Sequence, residues 1–397
     1  MRLESRTFCK KTSWRGREAY LLGNGLVRLM ALTGGGHVAE FRFDESSGFP
    51  TTSPLWIPPW KTIEPYRYRP ELHASRYGPA MEGKLLSGLV GHSICLDYFG
   101  SPSPEESKYG LSQHGEAPSA RWHKSNLRLT RQEVSLKLSV TLPVAGLRFS
   151  REIKLRQGQA LACFKETVIN EKKCDHFFHW TQHVTLGPPF LSARDSIVVL
   201  PGTQGMTFPD GYDEGKALLK SGSVFRWPMA PARAGGKVDL TRPFLRRGLG
   251  FVVGVLLDPR REFAFVAALN RRQNLLMAYC FKRRDFPWAA VWEENQAIAA
   301  VPWKRRTSAR GLEFGSTALP VPRREALTYG TVFGTPTFAY VPARGRKTTR
   351  YVAFLARVPS DWKGVRDIQV SGNEILVYGS DRRSIVRLGA PDLSKGL

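Results

Sequence analysis

Between Asn126 and Val168, apolar side chains recur at every second position: Leu127 and Leu129, then Val134, Leu136, Leu138, Val140 and Leu142, then Leu147 and Phe149, then Ile153 and Leu155. Ser135, Lys137, Ser139 and Thr141 fill the gaps. A strand throws successive side chains to opposite faces, so a period of two builds ribbons with one apolar and one wet face; a helix, with its period of 3.6, cannot use it. Strands of this kind pair antiparallel and pack their apolar faces on a second layer. Pro143-Val144-Ala145-Gly146 and Arg156-Gln157-Gly158-Gln159 carry the turn chemistry that hairpin links need. The segment is a meander.

Phe251 to Leu257, Phe263 to Leu269 and Leu275 to Phe281 are short apolar runs broken by Asp258-Pro259-Arg260 and Asn270-Arg271-Arg272, as core strands are. Val352 to Val358, Ile368 to Val370 and Ile375 to Tyr378 continue the theme, with a tight turn at Ser371-Gly372-Asn373-Glu374. No long stripe at i, i+3, i+4 and i+7 marks a helix. With 37 Gly and 27 Pro punctuating 397 residues, the chain is expected to be all-β, built of antiparallel sheets packed face to face. No linker divides it. One domain is expected over 1–397, its core at about 20–335 and the segment 336–397 completing the sandwich.

Several function classes fall away. No run approaches the ~18 uninterrupted apolar residues of a membrane helix, and Met1 to Arg15 lacks the apolar region of a secretory signal; a cytoplasmic protein without a membrane partner is expected. Five cysteines, with no CxxC pair, read as buried thiols. The net charge of +25 favours anionic partners. Yet the basic residues are spread in pairs and triplets, and no nucleic-acid motif accompanies them, so no nucleic-acid partner is expected. Walker, Rossmann and GxSxG signatures are absent, and no cofactor is expected.

All eight histidines precede residue 184. Three segments stand out: Gln113-His114-Gly115-Glu116, Trp180-Thr181-Gln182-His183 and Gly311-Leu312-Glu313-Phe314-Gly315. Together with Asn24-Gly25-Leu26-Val27-Arg28 and Gly34-Gly35-Gly36-His37-Val38-Ala39, they resemble the galactose mutarotase-like (aldose 1-epimerase-like) family in order and combination. His114-Gly115 is similar to the family's "HG" segment, His183 lies near Pro188-Pro189-Phe190 where a second histidine is expected, and Gly311-Leu312-Glu313 is similar to the segment of the general-base glutamate. The resemblance implies a large antiparallel β-supersandwich. It also implies a cofactor-independent enzyme that interconverts sugar anomers, with Glu313 as base, His183 as acid and His114 as ring-oxygen partner, the two histidine roles being exchangeable. Gly88 to Asp97 departs from the family's Asn-Arg pair, and Pro54 to Trp60 has no counterpart.

The chemistry agrees with those residue types. Anomer exchange moves a proton off the C1 hydroxyl and another onto the ring oxygen, which one carboxylate of raised pKa and one histidine can do. Glu313, set between Leu312 and Phe314, is costly to bury unless it is paired or functional. Trp180 is expected to stack on the sugar, with Gln182, Arg121, Glu116 and Asp97 as hydroxyl partners. Structural alternatives stand beside these: His114 holding a turn, His183 as a structural histidine on a strand face shared with His179 and Thr181, and Glu313 pointing to solvent from an edge strand. His176, His179 and His183 have spacings open to zinc, but without HExxH and in a strand-like context no metal is expected. The expected partner is a small carbohydrate, free or phosphorylated; two or three arginines at the pocket rim would support a phosphate. A non-catalytic sugar-binding or sensing protein, and a polysaccharide lyase or hydrolase with a long cleft, are the alternatives.

Overall fold

The computed structural model describes residues 7–209, 212, 215–244, 246–381 and 383–390; the first six and last seven residues of the expected 1–397 unit lie outside them. Among the described residues the strands form two large antiparallel sheets, of fourteen and eight strands, and two small ones. The larger sheet runs from Phe8–Trp14 through three successive hairpin partners. It then passes to five strands that matter below: β1 (His92–Asp97), β2 (His176–Leu186), β3 (Leu249–Leu257), β4 (Trp288–Asn295) and β5 (Ser308–Gly315). Their spatial order is β1-β2-β5-β4-β3. The eight-stranded sheet contains the predicted meander, as Glu133–Leu142, Leu147–Arg156 and Leu161–Asn170, with Arg346–Arg357 beside the last of these.

The two sheets share one core. Val134, Leu136, Phe149, Ile153, Phe164 and Tyr351 of the smaller sheet meet Trp180, Val253, Leu312 and Phe314 of the larger. Each such side chain, fully buried, contributes about 1.5–3 kcal/mol. The meander alternates because its outer face is wet: Lys137, Arg148 and Lys154 stand there. Phe263–Asn270 and Leu275–Lys282 do not alternate, because both their faces are covered. Val266, Met277 and Tyr279 enter the inter-sheet core, while Phe265, Ala267, Leu276 and Cys280 pack under a C-terminal three-stranded meander through Ile368, Ile375 and Val377. The latter comprises Val365–Ser371, Glu374–Gly379 and Ile385–Gly389, with Gly372 at φ 57° in the predicted tight turn.

The five cysteines are all free, and two of them, Cys95 and Cys280, are buried; Cys174 is exposed, contrary to the expectation of buried thiols throughout. None of the described helices is long and apolar enough to cross a membrane. The helices are short. α1 (Pro70–Tyr77) and α2 (Ala80–Gly88) lie between the early hairpins and β1, and their brevity hides them from a search for long helical stripes.

Candidate functional site

On β2, His179, Thr181, His183 and Thr185 share one face and Trp180, Gln182 and Val184 the other. The second set enters the inter-sheet core. The first faces outward, beneath a roof made by α2 and by the loop that follows β4. β5 pairs with β2 in a register that includes Thr181↔Gly315, Gln182↔Phe314 and Thr185↔Gly311, which sets Glu313 opposite His183. Leu312 and Phe314 go into the core while Glu313 goes outward. On its other side β5 pairs with β4, and Ala290 is the partner of Glu313. A cavity of about 270 Å³ lies over this row, with His114, His183 and Glu313 in its lining. That is just below the ~300–1,000 Å³ usual for drug-sized ligands, room for one small molecule.

The three groups are held from behind. His183 Nε2 lies 3.4 Å from Glu313 Oε1, and His183 Nδ1 lies 3.2 Å from the Thr185 hydroxyl. The rings of His114 and His183 are 4.9 Å apart. His114 sits at φ 59° in a tight loop, where its Nδ1 bonds the Phe99 carbonyl. A carbonyl only accepts, so Nδ1 carries the hydrogen and Nε2 the lone pair. Gly115 follows at φ 77°, and a Cβ there would meet the Leu96 carbonyl oxygen at 2.1 Å; only glycine lets the loop lie this close to β1. Gly311 does the same for the carboxyl group, since a Cβ would stand 2.6 Å from Glu313 Oε1.

Burial governs the charges. Glu313 is 2% exposed, and its Oε2 has no hydrogen-bond partner among the described residues. Desolvation pushes its carboxyl well above the ordinary carboxylate range. Desolvation, and then the neighbouring His114, bring His183 down to about 3. Desolvation likewise brings His114 down to about 4. At neutral pH both imidazoles are uncharged, and burial favours the protonated form of the carboxyl group.

The five expected sugar contacts stand outside this cavity. Trp180 and Gln182 face the inter-sheet core. There Trp180 Nε1 and Gln182 Nε2 donate to Glu166 Oε2 at 3.0 and 2.7 Å, and Arg151 donates to Glu166 Oε1 at 2.6 Å. Tyr351 and His92 bond the Gln182 amide oxygen. Glu116 caps a turn, accepting from the Ala145 amide at 2.8 Å. Asp97 is held by His176 at 3.0 Å and Arg323 at 2.6 Å. Arg121 is half exposed, 3.6 Å from Glu18 and over the Tyr66 ring. Hence His176 bonds Asp97, His179 accepts from the Phe99 amide and His183 faces Glu313. Among the described residues no cluster of three His, Cys, Asp or Glu is placed to hold a metal ion.

Other residues line the cavity. Trp292 of β4 and Trp303 of the following loop line the cavity with Leu85, Leu86 and Leu89. Trp56 and Trp60 brace Trp303 from behind, at ring separations of 6.1 and 5.2 Å, so the Pro54–Trp60 segment serves the roof. Glu294 fixes the root of that loop by accepting from the amides of Ala297 at 2.6 Å and Ile298 at 3.0 Å. The tryptophans were visible as stacking candidates. Strand alternation, which sends Trp180 and His183 to opposite faces, was the signal that could have discounted Trp180.

No family model matches this chain, and no curated protein matches it. Solved structures do resemble it. A candidate aldose 1-epimerase from Klebsiella pneumoniae superposes at TM-score 0.63 with 14% identity, covering 88% of this chain and 82% of its own. A galactose mutarotase-like protein from Clostridium acetobutylicum gives 0.58 at 10% identity, covering 89% and 99%. A candidate aldose 1-epimerase from Escherichia coli K12 gives 0.54 at 12%, covering 86% and 99%. At such identities the likeness is one of fold: the chain adopts the galactose mutarotase-like β-sandwich.

Proposed function

We propose that the protein is a cofactor-independent sugar mutarotase or a close relative, with Glu313 and His183 as its proton-transfer pair. The observation that carries this reading is the convergence of Glu313, His183 and His114 on one cavity from three distant parts of the chain. The anomeric hydroxyl and the ring oxygen sit on the same carbon, so two adjacent groups on one floor can address both. One member of the pair takes the C1 hydroxyl proton while the other protonates the ring oxygen, and closure on the other face returns both. The resemblance implies Glu313 as the base and His183 as the acid. His114, with its Nε2 lone pair, accepts a further hydroxyl.

A second reading, a sugar-binding protein without turnover, is favoured by one observation: burial disfavours the ionised form of Glu313 that a base needs. A polymer-cleaving enzyme is disfavoured, because the cavity, of about 270 Å³, has a single buried carboxyl in its lining, with Glu82 exposed at the rim. Magnetisation-exchange NMR on neutral aldoses decides. Accelerated anomer exchange that is lost in Glu313→Gln supports the mutarotase reading; binding without acceleration on any sugar supports the second.

A further inference from the structure

The chain carries 59 Lys and Arg residues, yet among the described residues none lines the cavity. Its charged or ionisable members are Glu313 and the two histidines on the floor, Glu82 at the rim and Tyr212. A phosphate brought into this space would meet no cation and would face two carboxyl groups. The walls are equally informative. Leu85, Leu86, Leu89, Val252, Ile298 and Trp303 are among the walls, and beyond the floor the polar groups are the side chains of Gln113, Ser101, Glu82 and Tyr212 and the indole N–H groups of Trp292 and Trp303. A hydroxyl taken from water into such walls without a partner is penalised, whereas a methyl group gains from the same contact.

We propose that this cavity selects an uncharged, hydroxyl-poor pyranose, a 6-deoxyhexose in preference to the parent hexose, and rejects hexose 6-phosphates. The proposal rests on the reading that the floor engages the anomeric centre, which leaves the apolar walls for the rest of the ring. The chain's basic surface lies outside this site and takes no part in the choice.

Binding to the wild-type protein tests it, followed by the fluorescence of the wall tryptophans and by calorimetry with a 6-deoxyhexose, its parent hexose and the hexose 6-phosphate. The expected order has the deoxy sugar at least tenfold tighter than the hexose, and the phosphate at least a hundredfold weaker than the deoxy sugar. Ile298→Thr, on the roof loop, is expected to narrow the first ratio by giving the hydroxyl a partner. A hexose that binds as tightly as the deoxy sugar, a phosphate that binds comparably, or no binding by any of the three overturns the proposal. Anomer exchange measured on the same samples keeps the two readings apart. The expected order without exchange sinks the mutarotase reading alone, and exchange with the order reversed sinks the selectivity alone.

Discussion

His183 and Glu313 occupy facing positions on two neighbouring antiparallel strands, with Nε2 3.4 Å from Oε1, and their shared outward face is roofed over by a helix and a loop. Rigid strands hold the pair, so its geometry does not depend on loop order. The roof, by excluding water, raises the proton affinity of the carboxyl and lowers that of the imidazole.

The raised carboxyl makes wild-type stability fall as pH rises. In the unfolded chain Glu313 ionises around the ordinary carboxylate value of 4.5, while in the folded protein it keeps its proton to higher pH. The stability it contributes is thus complete below 4.5 and drains away above it, at up to about 1.4 kcal/mol per pH unit. Glu313→Gln lacks this loss. Urea unfolding at pH 4.5, 6 and 8 is expected to show the variant gaining on wild type as pH rises; parallel curves would contradict the burial argument.

His183 works in the other direction. An unfolded histidine protonates below about 6.5, and the folded one stays neutral down to about 3, so acid favours the unfolded chain throughout that window. His183→Gln is expected to lose less stability between pH 7 and pH 5 than wild type, by on the order of 2 kcal/mol. Paired denaturation curves at the two values read this directly.

Gly115→Ala places a methyl group against the Leu96 carbonyl at a positive φ. The loop must shift, at a cost of about 1–3 kcal/mol, and His114 moves with it. A lower melting temperature together with a slower exchange rate per folded molecule is the expected result.

Arg151→Met strips a buried partner from Glu166, whose ion pair is fully enclosed. A loss of about 3–5 kcal/mol is expected. The network lies on the opposite face of the His183 strand, so the exchange rate of the remaining folded protein is expected to stay at the wild-type value. A variant both stable and inactive would show that the inner network reaches the site.

The sheets were legible in the sequence because alternation over Glu133–Arg156 and the runs at Phe263–Phe281 are direct consequences of one wet face or none. The burial of Glu313 was legible for a related reason, as a carboxyl group in an apolar strand. The ring of contacts around it was not. Trp180 and Gln182 are adjacent to His183 in sequence but separated from it by the sheet itself, and Asp97, Glu116 and Arg121 are tied up by partners from distant segments. The cavity walls come from α2, too short to leave a helical stripe, and from Trp292 and Trp303, whose places depend on how the roof folds over the sheet.

In anomer exchange Glu313 and His183 are expected to act as one unit. Anomer exchange by magnetisation-transfer NMR on wild type, Glu313→Gln, His183→Gln and the double variant tests it directly. Each single change is expected to cost about 10²–10⁴-fold in rate, and the double change little more than the worse single one. A Glu313→Gln protein that exchanges anomers at the wild-type rate, or losses that simply multiply in the double variant, would show that the two residues do not form a proton-transfer pair.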